Sequence, residues 1–196
     1  MAKTLSIVRY PHPTLRYTSK TIQRVDSDFK TLIAEMFELM YEHNGVGLAA
    51  NQVDLPLRVF VANPAGKKGE GEEIVCINPE LNLPKGNEVD REGCLSLPEI
   101  FGDVKRATKV KLNAYDMSGN LIQRDLDGFL ARIVQHEIDH LNGVYFFDRM
   151  IDGSRLALEP KLKELEAEFR DLQQSGEIPA DEELVARLTK WESRYA

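Results

Sequence analysis

The sequence predicts an α+β fold. Short β-branched runs with alternating polarity fill the middle of the chain. One amphipathic helical segment, at about residues 127–142, carries two histidines and a glutamate on or beside its apolar face. From about Pro160 onward the apolar residues recur at helical spacing within a strongly charged background. Together these give antiparallel strands surrounding a central metal-binding helix, with a helical C-terminal extension.

The elements follow in order. Asp26 or Ser27 can cap a helix whose apolar residues are Phe29, Leu32, Ile33, Met36, Phe37 and Met40, with Gly45 expected to close it. Residues 58–62 and 74–77 read as strands, and residues 109–115 as a strand with one wet face. Residues 117–120 form a hairpin turn into a strand at 121–124. After the central helix, Leu158, Leu162, Leu165, Phe169 and Leu172 make one helical stripe, and Leu184, Leu188, Trp191 and Tyr195 a second. This predicts a body over residues 1–158 and an amphipathic extension over 159–196, packed on the body or on a partner chain.

Composition narrows the function classes. A chain of 196 residues with a 42% apolar share has room for a real core. Its net charge of −7 disfavours a nucleic-acid surface. The N-terminus lacks an apolar signal region, and no apolar run reaches membrane-spanning length. Two cysteines are too few for a disulfide framework; Cys76 reads as a buried strand thiol, and a cytoplasmic, reducing location is expected.

The chemistry lies in three short segments. Residues 135–140 read Gln-His-Glu-Ile-Asp-His. On a helix His136 and His140 lie one turn apart on one face, so both rings can reach one ion, and Glu137 sits where it can move protons to and from water. A catalytic metal site needs a third protein ligand. Glu159, Glu164, Glu166 and Glu168 lie downstream, but Cys94, in Glu-Gly-Cys-Leu-Ser at 92–96, is the stronger candidate, since a thiolate with two imidazoles suits Zn(II) or Fe(II). The third segment, Gly-Val-Gly-Leu-Ala-Ala-Asn-Gln at 45–52, allows close backbone approach and ends in Gln52, an amide able to donate to an oxyanion. Phe129 and Ile133 precede His136 on the same helix face and can wall a pocket, with Val46 opposite. Gly47 offers backbone groups to an extended peptide.

These three segments, in this order, resemble the signature motifs of the peptide deformylase family, and the resemblance runs over about residues 5–155. It implies removal of the N-terminal formyl group from formyl-methionyl nascent peptides, with release of formate. It implies one divalent metal ion on Cys94, His136 and His140, natively Fe(II), with Zn(II) or Ni(II) in preparations. It further implies Glu137 as proton carrier, Gln52 and the Leu95 backbone N–H as oxyanion donors, and a Glu92–Arg106 ion pair. Some relatives meet ribosomal RNA through a basic C-terminal helix. Here residues 160–196 carry six basic and nine acidic side chains, so ribosome proximity without strong RNA binding is expected, or a homodimer through these helices. The competing expectations are a zinc endopeptidase using a downstream ligand and a non-enzymatic binding module.

Overall fold

The computed structural model describes residues 5–150 and 154–196. Helix α1 (Ser27–Glu42) follows Asp26, whose carboxylate accepts from Phe29 N at 2.9 Å; the cap is Asp26 rather than Ser27. The helix closes differently from expectation. Asn44, not Gly45, takes the left-handed position (φ 55°), and Gly45 N then returns to Met40 O at 2.8 Å. Asn tolerates this conformation, so glycine is not needed for the turn. Gly45 is needed for space: a Cβ there would lie 2.9 Å from Leu95 Cδ1.

Strands β1 (Gly47–Ala49), β2 (Val59–Ala62), β3 (Ile74–Lys85), β6 (Lys109–Tyr115) and β7 (Leu121–Asp127) form one antiparallel sheet in the order β1-β2-β3-β6-β7. Strands β4 (Glu88–Cys94) and β5 (Leu97–Arg106) pair separately as a hairpin. Alternation along β2 and β3 divides the core in two. Val59, Val61 and Ile77 face α1, whereas Phe60, Ala62, Ile74 and Cys76 face helix α2 (Gly128–Leu141). The sheet is thus sandwiched between the two helices. Cys76 is fully buried there, and burial pushes its thiol up to about 12, as a core thiol should behave.

A third core joins the hairpin to the tail. Leu97, Ile100 and Val104 meet Tyr145, Phe146 and Phe147, and then Leu162 and Leu165 of helix α3 (Glu159–Ser175). Helix α4 (Asp181–Tyr195) buries Leu184, Leu188 and Tyr195. Tyr195 packs on Phe29 of α1, with ring centroids 5.5 Å apart, and its carbonyl accepts from Gln23 N at 2.7 Å. Both expected helical stripes therefore face the chain's own body. At their margins, Leu172 stays exposed and Trp191 is only half-buried, stacked on Tyr195. Among the described residues no helix is long and apolar enough to cross a membrane.

Candidate active site and metal centre

Helix α2 presents His136 and His140 one turn apart, as its 3.6-residue period requires. The β4–β5 hairpin turns at Gly93–Leu97, where a register shift between Gly93 and Cys94 re-aims the Cys94 side chain. Cys94 Sγ lies 3.2 Å from His140 Nε2, and the two Nε2 atoms are 3.2 Å apart. All three ligand atoms fall within 4.8 Å of one another. The glutamates of the tail lie elsewhere: Glu166 accepts from Tyr10 Oη and Glu164 pairs with Lys161. A thiol and two imidazoles facing one point suit a tetrahedral ion with one position left for water or substrate.

His136 is oriented from behind. Its Nδ1 meets Glu92 Oε2 at 3.0 Å, so its Nε2 faces Cys94 and His140. Glu92 is buried, and Arg106 grips both of its oxygens at 2.9 Å. The expected Glu92–Arg106 pair is one link of a larger network. Arg132 donates to Glu92 at 2.7 Å, to Val104 O and to Glu88 O. Asp139 joins Arg106 to Arg149. Burial pushes the Glu92 carboxyl up, but Arg106 and His136 outweigh it and hold the group well below the usual carboxylate range. Arg132 belongs to the site although no motif marks it. The available signal was a charge one turn before His136, next to the apolar pair Ile133 and Val134.

Glu137 is buried against β1. A Cβ on Gly47 would stand 2.3 Å from its Oε1, so this carboxyl occupies the space a side chain at Gly47 would need. Its Oε2 has no hydrogen-bond partner among the described residues. Burial raises its pKa to about 7, with His136 and Arg106 opposing. A carboxyl poised near neutrality is matched to proton transfer.

Gln52 lies in the 3-10 turn Ala50–Val53 between β1 and β2. Ala49 N fixes its Oε1 at 2.9 Å, which turns Nε2 toward Cys94 Sγ and Ser96 Oγ, both at 3.3 Å. The segment before the first helix closes this side, with Val8 N on Gln52 O and Tyr10 N on Ser96 O, each at 2.9 Å. A cavity of about 770 Å³ opens over the group. Val46, Gly47, Gln52, Leu95, Phe129 and Ile133 all line it beside Cys94, His136 and Glu137. Ile133 is buried in its wall, whereas Phe129 is 54% exposed at the rim.

The sequence profile of the polypeptide deformylase family matches residues 4–155. A peptide deformylase from Rhodopirellula baltica is 51% identical over 191 residues, covering 97% of this chain and 95% of that one. The match therefore takes in the second tail helix, which the motifs alone do not reach. The chloroplastic peptide deformylase 1B of Solanum lycopersicum is 43% identical over 95% of this chain, which spans only 66% of that longer relative. Among solved structures, a plant peptide deformylase superposes with a TM-score of 0.85 at 40% identity, covering 92% of this chain and 97% of that one. The peptide deformylase of Thermotoga maritima gives 0.71 at 39% identity, covering 75% and 97%. Motifs, fold and site geometry agree with these likenesses, and the chain belongs to the polypeptide deformylase family.

Proposed function

We propose that this chain removes the formyl group from the N-terminal formyl-methionine of newly made polypeptides by a metal-assisted amide hydrolysis in which Cys94, His136 and His140 hold the ion. The carrying observation is the convergence of one sulfur and two ring nitrogens beside a buried carboxyl and an aimed amide. A divalent ion held there would supply Lewis acidity and a lowered pKa for water.

The chain's own groups do the rest. Glu137 takes a proton from the attacking water and later returns it to the leaving amine. Gln52 Nε2 and the Leu95 backbone N–H donate to the oxyanion of the tetrahedral adduct. The contact of Gln52 Nε2 with Ser96 Oγ, at 3.3 Å, lies at the long end of the N–H···O range, so redirecting that hydrogen to a carbonyl oxygen costs little. Val46, Ile133 and Phe129 wall an apolar pocket for the methionine side chain, and Gly47 on β1 pairs with the extended peptide.

Fe(II) is the native ion in this reading, with Zn(II) or Ni(II) as substitutes, since thiolate and imidazole suit all three. Residues 1–158 carry the chemistry, and residues 159–196 stabilise the body without strong RNA binding, in keeping with their net acidity. A homodimer through the helices would use what their buried faces leave over, such as Leu172 and Val185. A reducing, cytoplasmic setting fits the exposure of Cys94 to the cavity.

The test is formate release from a formyl-methionyl tripeptide by anaerobically prepared protein, run beside an internally cleavable peptide blocked at its N-terminus. Formate release with the internal bonds intact is expected. Internal cleavage without formate would replace deformylation by endopeptidase action, and inactivity toward both would leave a binding module.

A further inference from the structure

The two histidines of the site are supported unequally. His136 has Glu92 behind its ring at 3.0 Å. His140 Nδ1 is buried and has no partner among the described residues. Once Nε2 faces a metal, Nδ1 carries the hydrogen and can only donate.

A second unpaired buried atom is at hand. Asn51 is fully buried in the turn Ala50–Val53, immediately before Gln52. Its Nδ2 donates to the main-chain carbonyl of His140. A carbonyl can only accept, so the amide is oriented with nitrogen toward His140 O. Its Oδ1 is then left buried and unpaired. Leaving one such atom unpaired costs about 1–3 kcal/mol. Here an unpaired donor and an unpaired acceptor sit on two side chains that the His140 carbonyl already joins.

We infer that Asn51 is the positioning residue of His140: its Nδ2 holds the main chain at the end of α2, and its Oδ1 receives the Nδ1–H through one bridging water, since the two atoms are not bonded to each other directly. The inference rests on reading His140 as a metal ligand. It makes one turn the staple of the centre, since Asn51 reaches His140 while its neighbour Gln52 reaches Cys94. It also makes the ligands unequal. A carboxylate partner raises imidazole basicity, and a neutral amide raises it less.

The experiment uses zinc-loaded protein and two variants. Asn51→Leu removes both contacts, whereas Asn51→Asp keeps an acceptor for Nδ1–H but sets its second oxygen against the His140 carbonyl. The readouts are the rate at which excess chelator strips zinc and the melting temperature of the metal-free form. Asn51→Leu should speed release about 10–100-fold, the usual cost of losing such a partner, and Asn51→Asp, although its metal-free form should melt lower, should release zinc more slowly than Asn51→Leu because its carboxylate still accepts from Nδ1–H. A parental release rate from Asn51→Leu, with only its metal-free melting point lowered, would reduce Asn51 to a packing residue and overturn the inference. Equally fast release from both variants would overturn the acceptor role. Should Asn51→Leu not fold, the His140 Nδ1–H signal of the ¹⁵N-labelled zinc-loaded parent decides: protection from exchange is expected, and rapid exchange overturns the inference. A parent that binds no zinc would sink the metal reading itself, which separates the two failures.

Discussion

The metal centre and the C-terminal helices are attached to the same body by opposite means. Behind His136 the protein buries Glu92, Arg106, Arg132 and Asp139 in one hydrogen-bonded network. The tail buries Leu162, Leu165, Phe169, Leu184, Leu188 and Tyr195 and keeps its ion pairs at the surface, as in Arg194 with Asp28 and Arg187 with Glu183. Buried charges are costly to desolvate, and an apolar replacement of a complete network is often neutral or stabilising. The network is therefore poor glue. What it does provide is fixed direction, which the ring of His136 requires and a packed leucine does not.

The largest effect is expected at the proton carrier. Glu137→Gln should keep the metal and lower formate release by about 10²–10⁴-fold, since an amide cannot shuttle a proton. Metal content and turnover measured on one preparation check it; near-parental turnover would remove Glu137 from the mechanism.

Arg106→Met tests the network. It leaves Glu92 and Asp139 buried with fewer partners, and removing one member of a buried pair costs about 3–5 kcal/mol. Denaturant unfolding should show that loss together with weakened metal retention. A neutral result would mean that Arg132 and Arg149 suffice.

The metal-free protein should also report Glu137 through pH. Its folded pKa of about 7 lies above the ordinary 4.5, so the folded form holds the proton more tightly. The stability it contributes is complete below about pH 4.5 and is lost as pH rises through 7, to the extent of about 3 kcal/mol. Glu92 works in the opposite sense: its folded pKa is depressed, so its contribution is present above the usual carboxylate range and is lost on acidification. In melts of metal-free protein from pH 5 to 8, Glu137→Gln should flatten the decline. An unchanged slope would place the titration elsewhere.

The tail gives the smallest effects and the clearest contrast. Leu188→Ala should cost about 2–3 kcal/mol through a cavity, with kcat and KM per metal unchanged. Arg194→Ala should leave the melting temperature unaltered at physiological salt, because its guanidinium is a surface group. A fall in kcat from Leu188→Ala would show that the tail shapes the site.

What was legible in the sequence follows the same divide. Helices α1 and α2 and the β6–β7 hairpin bury one face, and their periodicity announces them. Strand β4, and with it the hairpin to β5, carries little strand signal because Glu88–Glu92 is a nearly continuous charged run with little apolar alternation, exposed over 88–91. The second half of β3, through Pro79 and Pro84, is mostly exposed and is held by pairing with β6 rather than by burial. Strand β1 is three residues long and begins in a glycine pair that reads as loop. The ligands and Glu137 were legible because metal and proton chemistry demand particular residue types at particular spacings. Asn51 and Arg132 were not, since a supporting hydrogen bond can come from many residue types at no fixed distance along the chain.

The place of Glu137 is set by something no catalogue of reactive groups would include. Its carboxyl fits only because residue 47 ends at its α-carbon. A methyl group there would occupy the volume now held by Oε1, while Cys94, His136, His140 and Gln52 would each remain in place. Gly47→Ala would thus give a protein of complete chemical inventory that still takes up its metal and yet turns over poorly. One added carbon would displace the proton carrier, so the backbone at residue 47 belongs to the site as much as the side chains do.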